Sequence, residues 1–102
     1  MHSQWIKKST RDYALSGALD RDEVPALWAV LEQWQPEEKE VVISLADVKR
    51  VDSAGMAMLI HLIENAKIKN CHIMMSFVPE QLLTLFELSN VVSLVSKHIL
   101  QE

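Results

Sequence analysis

A chain of 102 residues that is 49% hydrophobic and 24% charged has the length and mix of one folded domain, expected over residues 1–102, and is too short for two independent cores. Its formal charge of -4 comes from 14 acidic and 10 basic residues, and the basic ones are dispersed, which disfavours a nucleic-acid-binding surface built on clustered positive charge. Two glycines and three prolines leave no low-complexity linker, and no internal repeat is visible.

In chain order, Trp5-Ile6-Lys7-Lys8 and Tyr13-Ala14-Leu15-Ser16 read as two short strands around the polar turn Ser9-Thr10-Arg11-Asp12, with Gly17 ending the second. Leu19 to Pro25 reads as a helix start, with Asp20 or Asp22 as the N-cap and Pro25 in the first turn. Val24, Leu27, Trp28 and Leu31 then recur at helical spacing as one apolar stripe. Trp28 and Trp34 continue that pattern and are read as packing residues. Gln35 to Glu40 is a charged connection.

Val41-Val42-Ile43-Ser44-Leu45 and His72-Ile73-Met74-Met75-Ser76-Phe77-Val78 are nearly continuous apolar strands, the pattern of strands covered on both faces. A long helix is predicted between them, from about Ser53 to Lys69. Another runs from Pro79, placed at the first helical position, to about Ser89, with Leu82, Leu85 and Phe86 inward. The tail from Val92 to Leu100 adds a last helical turn or two. Strand, helix, strand, helix with apolar strands predicts an α/β domain: a mixed sheet of about four strands, parallel at its centre, packed with three to four helices.

No apolar run reaches the roughly 18–20 residues of a membrane span. Met1-His2-Ser3-Gln4-Trp5 lacks the basic-then-apolar pattern of a signal peptide. Cys71 has no second cysteine to pair with and is read as a small inert buried thiol. A cytoplasmic chain is expected, reaching a membrane only through a partner.

Function in open α/β sheets collects where a strand hands over to a helix, here between Asp47 and Gly55. Asp52 or Ser53 is expected to cap the long helix. Ala54 and Gly55 keep its first turn small, so that another backbone or a flat surface can approach. A helical wheel groups Met56, Leu59, Ile60, Ile63 and Ala66 toward the core, and Ala54, Ala57, Met58, His61, Asn65 and Ile68 on the other face. That second face is poor in charge, which marks interface cores, so Ser53, Ala54, Ala57, Met58 and His61 are the candidate partner-binding residues. Ser53 is also a candidate phosphorylation site, where a phosphate beside Asp52 would disrupt an apolar contact on Ala54 and Ala57.

An enzyme would need a nucleophile with its base, a metal cluster or a phosphate loop. Ser53 has no histidine placed near it by local sequence, although His61 two turns along is conceivable. His2, His61, His72 and His98 show no zinc-binding spacing. There is no Gly-rich phosphate loop. No catalysis, metal or cofactor is expected.

Val51-Asp52-Ser53-Ala54-Gly55-Met56-Ala57 resembles the Asp-Ser-(Ser/Ala)-Gly-hydrophobic signature of STAS domains, the sulphate-transporter and anti-sigma-factor-antagonist family. Leu15-Ser16-Gly17-Ala18-Leu19-Asp20 is similar to the family's earlier Gly-x-Leu-Asp element. The resemblance spans roughly Tyr13 to Asn90 and implies the STAS fold. Leu27-Trp28 and Ala57-Met58-Leu59-Ile60-His61-Leu62-Ile63 are similar to the branch of stand-alone STAS subunits of Mla-type phospholipid ABC transporters. That branch implies docking on a cytoplasmic, MlaF-like ATPase subunit, support of its assembly and activity, and maintenance of outer-membrane lipid asymmetry. It also implies a contact surface at Ser53, Ala54, Ala57 and Met58. The other branch, the anti-sigma-factor antagonists, implies phosphorylation of Ser53 by a partner kinase; its frequent second serine is Ala54 here.

Overall fold

The structure, a computed structural model, describes residues 3–100; His2 lies outside them. Four strands, β1 (Trp5–Lys7), β2 (Asp12–Leu19), β3 (Glu40–Val51) and β4 (His72–Ser76), form one sheet in the order β1-β2-β3-β4. β1 runs antiparallel to β2, and the other two pairings are parallel. Helices α1 (Val24–Leu31), α2 (Ser53–Ile68), α3 (Glu80–Leu88) and the short α4 (Val92–Val95) follow the strands, with a 3-10 turn at Ser96–His98. The expected mixed α/β architecture is present.

Topology explains how the layers arise. β2, β3 and β4 are laid down in one direction, and right-handed crossovers in one direction put α1 and α2 on the same face of the sheet. α2 touches both α1 and α3, so it is the middle helix of a single layer. Val41, Ile43 and Leu45 of β3 and Ile73 and Met75 of β4 are buried under it, together with Leu15 and Leu19 of β2. On the other face Val42, Ser44, His72 and Met74 are only half-buried. The unbroken apolar strands therefore have helix cover on one face, not the two expected from their composition.

Both central strands overrun their sequence-based limits. β2 does not stop at Gly17: that residue takes φ +75°, a left-handed conformation suited to glycine, inside a pairing whose register slips between Ala14 and Ser16 and again between Gly17 and Ala18. β3 continues through Ala46-Asp47-Val48-Lys49-Arg50 because Asp47, Val48, Arg50 and then Val51 pair with Ser16, Gly17, Ala18 and Leu19 of β2, beyond the end of β4 at Ser76. Their side chains are mostly exposed, so the stretch lacks the apolar signal of a strand.

The helix starts also shift. The N-cap position of α1 is Glu23, without a side-chain cap bond. Asp20 instead holds the turn before the helix, accepting from the N–H groups of Asp22 and Glu23 at 3.1 and 3.0 Å. α1 ends at Leu31, before Trp34, and the carbonyls just beyond it are met from outside: Lys69 Nζ donates to Trp34 O at 2.7 Å and to Glu32 O at 3.4 Å. Pro79 is the N-cap of α3 and not its first residue. Trp34 packs edge-on against both members of the stacked Trp5–Tyr13 pair, with centroids 5.5 and 5.1 Å away. It is a packing residue, as its position in the pattern indicates. Cys71 is buried, and that burial pushes its thiol pKa up, with the nearby Glu40 charge adding to the effect.

Candidate functional site

The β3–α2 junction is built by two aspartates. Asp52, with an extended backbone, caps α2: its Oδ1 accepts from the N–H groups of Ala54 and Gly55 at 2.9 and 3.1 Å. Its Oδ2 accepts from the N–H of Arg21 at 3.1 Å. One carboxylate thus joins the start of α2 to the loop that leads into α1. Asp20 does the complementary work: its Oδ2 accepts from Arg50 Nη2 at 2.7 Å and Nε at 3.1 Å, tying the end of β2 to the end of β3. The Arg50 guanidinium, and then the Glu23 N–H, hold the Asp20 carboxyl below the usual carboxylate range. Arg50 is held protonated in return. Gln81 of α3 closes the third side, its Oε1 accepting from the N–H of Val51 at 3.1 Å.

Ser53 does not share the capping. It is the first residue of α2 and exposed, and its hydroxyl makes no hydrogen bond to another of the described residues. Gly55 is buried, and its small size serves an internal contact. A Cβ there would lie 2.0 Å from Leu19 O and 2.8 Å from Val51 Cγ2. The close approach expected from outside is made by the chain's own β2, and what remains open to a partner is the surface next to it.

That surface is shorter than the wheel indicates. Ala57 and His61 are exposed and Ala54 is half-buried, but Met58 is only 3% exposed. Met58 is therefore a core residue and not, as its place on the wheel predicts, part of the contact face. Leu62 is likewise buried, while Ile60, assigned to the core, is half-buried. The cause is the position of α2: packed on the sheet and flanked by α1 and α3, it buries far more than one stripe.

One aromatic residue joins the surface from another element. The half-buried ring of Trp28 lies 6.2 Å from the His61 ring, tilted by 52°. Trp28 was legible only as part of the α1 stripe. The available hint was its place at the edge of that stripe, next to the uncharged, exposed Ala29. From Ser53 to Ile63, α2 carries no formally charged side chain. Ser53, Ala54, Ala57 and His61, with Trp28 alongside, therefore make a nearly charge-free patch, rimmed by Asp52 and Glu64. It can offer apolar contact, one free hydroxyl and one imidazole. Among the described residues, no group of three or more His, Cys, Asp or Glu is placed to hold a metal ion, and no helix is long and apolar enough to cross a membrane.

Residues 7–96 match the family described as "Mlab, STAS domain". The chain belongs to the MlaB STAS family. It is 38% identical over 77 residues to the "Intermembrane phospholipid transport system binding protein MlaB" of Escherichia coli (strain K12), a match covering 76% of this chain and 77% of the relative. The MlaB protein of Shigella flexneri matches to the same extent. In fold, the chain is similar to the unphosphorylated anti-sigma factor antagonist SpoIIAA, with a TM-score of 0.72 at 13% identity, covering 97% of this chain and 86% of that one. It is also similar to a sulfate transporter family protein from Wolinella succinogenes, with a TM-score of 0.70 at 16% identity, covering 92% of this chain and 78% of that one. The two aspartate-bearing motifs, at Gly17–Asp20 and Asp52–Gly55, meet in the fold, where the Asp52 N–H donates to Leu19 O and Gly55 lies against that same carbonyl.

Proposed function

We propose that this chain is the non-catalytic STAS subunit of an Mla-type phospholipid-transporting ABC system. It docks on the MlaF-like cytoplasmic ATPase subunit, supports the assembly and activity of that subunit, and so helps maintain outer-membrane lipid asymmetry. In this reading the chain is cytoplasmic and peripheral to the inner membrane through its partner. The observation that carries it is the charge-free patch at Ser53, Ala54, Ala57, His61 and Trp28, in a chain 38% identical to proteins named for intermembrane phospholipid transport. Depletion of charge together with an aromatic anchor is the composition of an interface core.

The test is a pull-down from native cells with the unaltered chain and with Ala57→Arg. Recovery of a membrane-bound ATPase by the first and its loss with the second, at unchanged thermal stability, is the expected result. Equal recovery by both would refute the patch, and recovery of no ATPase by either would refute the transporter reading.

A second reading, an anti-sigma-factor antagonist switched by phosphorylation, is favoured by one feature: Ser53 is exposed and its hydroxyl is not spent on capping. A phosphate there would be attracted by the α2 N-terminus and repelled by Asp52. Intact mass of the protein from native cells separates the two, since a substantial phosphorylated fraction mapping to Ser53 would favour the antagonist.

A further inference from the structure

We propose that His72 and His98 form an acid-released clasp that fastens the C-terminal segment to the edge of β4. The two rings stack with centroids 4.5 Å apart and planes 29° apart. Each histidine bonds the backbone of the other's segment. His98 Nδ1 lies 2.8 Å from Ile73 O, and His72 Nε2 lies 3.1 Å from Lys97 O. A carbonyl oxygen can only accept, so both nitrogens carry protons and both tautomers are fixed. The clasp is backed by a bond from the Leu100 N–H to Met75 O at 2.8 Å and by the parallel bridge of Ile99 to Met75. The segment thus covers an edge of β4 that would otherwise present unpaired backbone groups.

With one proton already committed on His98 Nδ1, acid must place the next on Nε2 of that ring. His98 is 3% exposed, so its charged form would be poorly hydrated against the stacked His72 ring. The surrounding groups do not relieve this. α2 contributes the Glu64–Lys67 ion pair, 3.9 Å apart. Lys39, just before β3, and Lys67 border the cleft beside His72 and Cys71. Glu40 is the register partner of His72, and Lys97 precedes His98. Of these charges, Lys67 opposes a proton on His98 more than Glu64 favours one.

Burial, opposed in part by the bond to Ile73 O, keeps the His98 imidazole below its ordinary range. A released His98 titrates near the ordinary value of about 6.5. The clasp is therefore fully held above that pH and is lost as pH falls from it through the depressed value. Release withdraws Val95 and Ile99 from the wall of a cavity of about 440 Å³ that they share with Leu83, Phe86 and Val92. Acid would then uncover the apolar side of α3.

Amide hydrogen exchange on the full chain across pH 7.5 to 5.5, corrected for intrinsic rates, tests this. The Leu100 amide should lose at least tenfold protection while the β3 amides keep theirs. In the double variant His98→Asn, His72→Gln, whose amides can donate from similar positions but do not titrate, the response should vanish. Unchanged Leu100 protection in the unaltered chain, a loss shared with β3, or the same loss in the double variant would each overturn the clasp. If the double variant does not fold, the His98 ring resonances of the unaltered chain decide. A titration midpoint coinciding with the loss of Leu100 protection supports the clasp, and one that differs refutes it.

Discussion

A Cβ added to Gly55 would sit 2.0 Å from the carbonyl oxygen of Leu19. The first turn of α2 is therefore pressed directly onto the end of β2, across a separation of 36 positions in the chain. The same carbonyl accepts from the N–H of Asp52 at 3.2 Å, so it cannot move aside without breaking the junction. Gly55→Ala should destabilise the protein by about 3 kcal/mol or more, at the upper end of overpacking costs, since the clash is with backbone. Denaturant unfolding checks it, and a loss below about 1 kcal/mol would mean that the two motifs are not in contact.

Met58 and Ala57 are neighbours in sequence with opposite fates. Met58→Ala should cost about 2–5 kcal/mol of stability, because it empties a filled core position. Ala57→Arg, on the exposed side, should change stability by less than about 0.5 kcal/mol. Paired thermal melts of the two variants decide the orientation of α2. The reverse ranking would show that the helix is rotated.

Phe77 leaves β4 with φ +53° and is 58% exposed. A bulky side chain in the left-handed region is strained. Phe77→Gly should raise stability by about 0.5–1 kcal/mol, the relief of the left-handed backbone outweighing the loss of the covered part of the ring. A lower denaturation midpoint in that variant would show that the ring contributes more than the strain costs.

The Asp20–Arg50 pair sets an acid dependence. Asp20 is held below the ordinary carboxylate range by Arg50 and the Glu23 N–H, so its folded-state pKa lies below its unfolded value of about 3.9. Its contribution is present above that pH and disappears as pH falls through the folded value. Unfolding curves for the unaltered chain and Asp20→Asn should be separated at neutral pH and converge below about pH 4. A constant gap would assign the difference to something other than ionisation.

What the sequence made legible follows from where neighbours lie. Leu27 and Leu31 face a single layer, so helical spacing identifies them. α2 has neighbours on three sides, and a wheel that divides its residues into two faces misplaces Met58 and leaves Leu62 on neither. The Asp52 cap was one of two readings, because an aspartate and a serine stood side by side. Only the extended backbone at Asp52 separates the N-cap from the first helical residue. The last half of β3 was hidden because Ala46 to Arg50 are held by backbone pairing, which leaves no hydrophobic trace. The His72–His98 contact joins residues 26 positions apart and has no periodic signal at all.

The candidate surface draws on two helices whose flanking residues are tied together at both ends. Asp52 Oδ2 takes the Arg21 N–H at one end, and Lys69 Nζ reaches Trp34 O at the other. A partner docking as proposed would meet a face whose shape is set before the encounter. Docking of that kind needs little backbone movement, about 1 Å or less, and proceeds at the roughly 10⁵–10⁷ M⁻¹s⁻¹ of rigid surfaces finding their orientation. Such a face is tuned by what is placed on it, a charge or a methyl group, and changes in affinity should appear mainly as changes in how long the complex lasts.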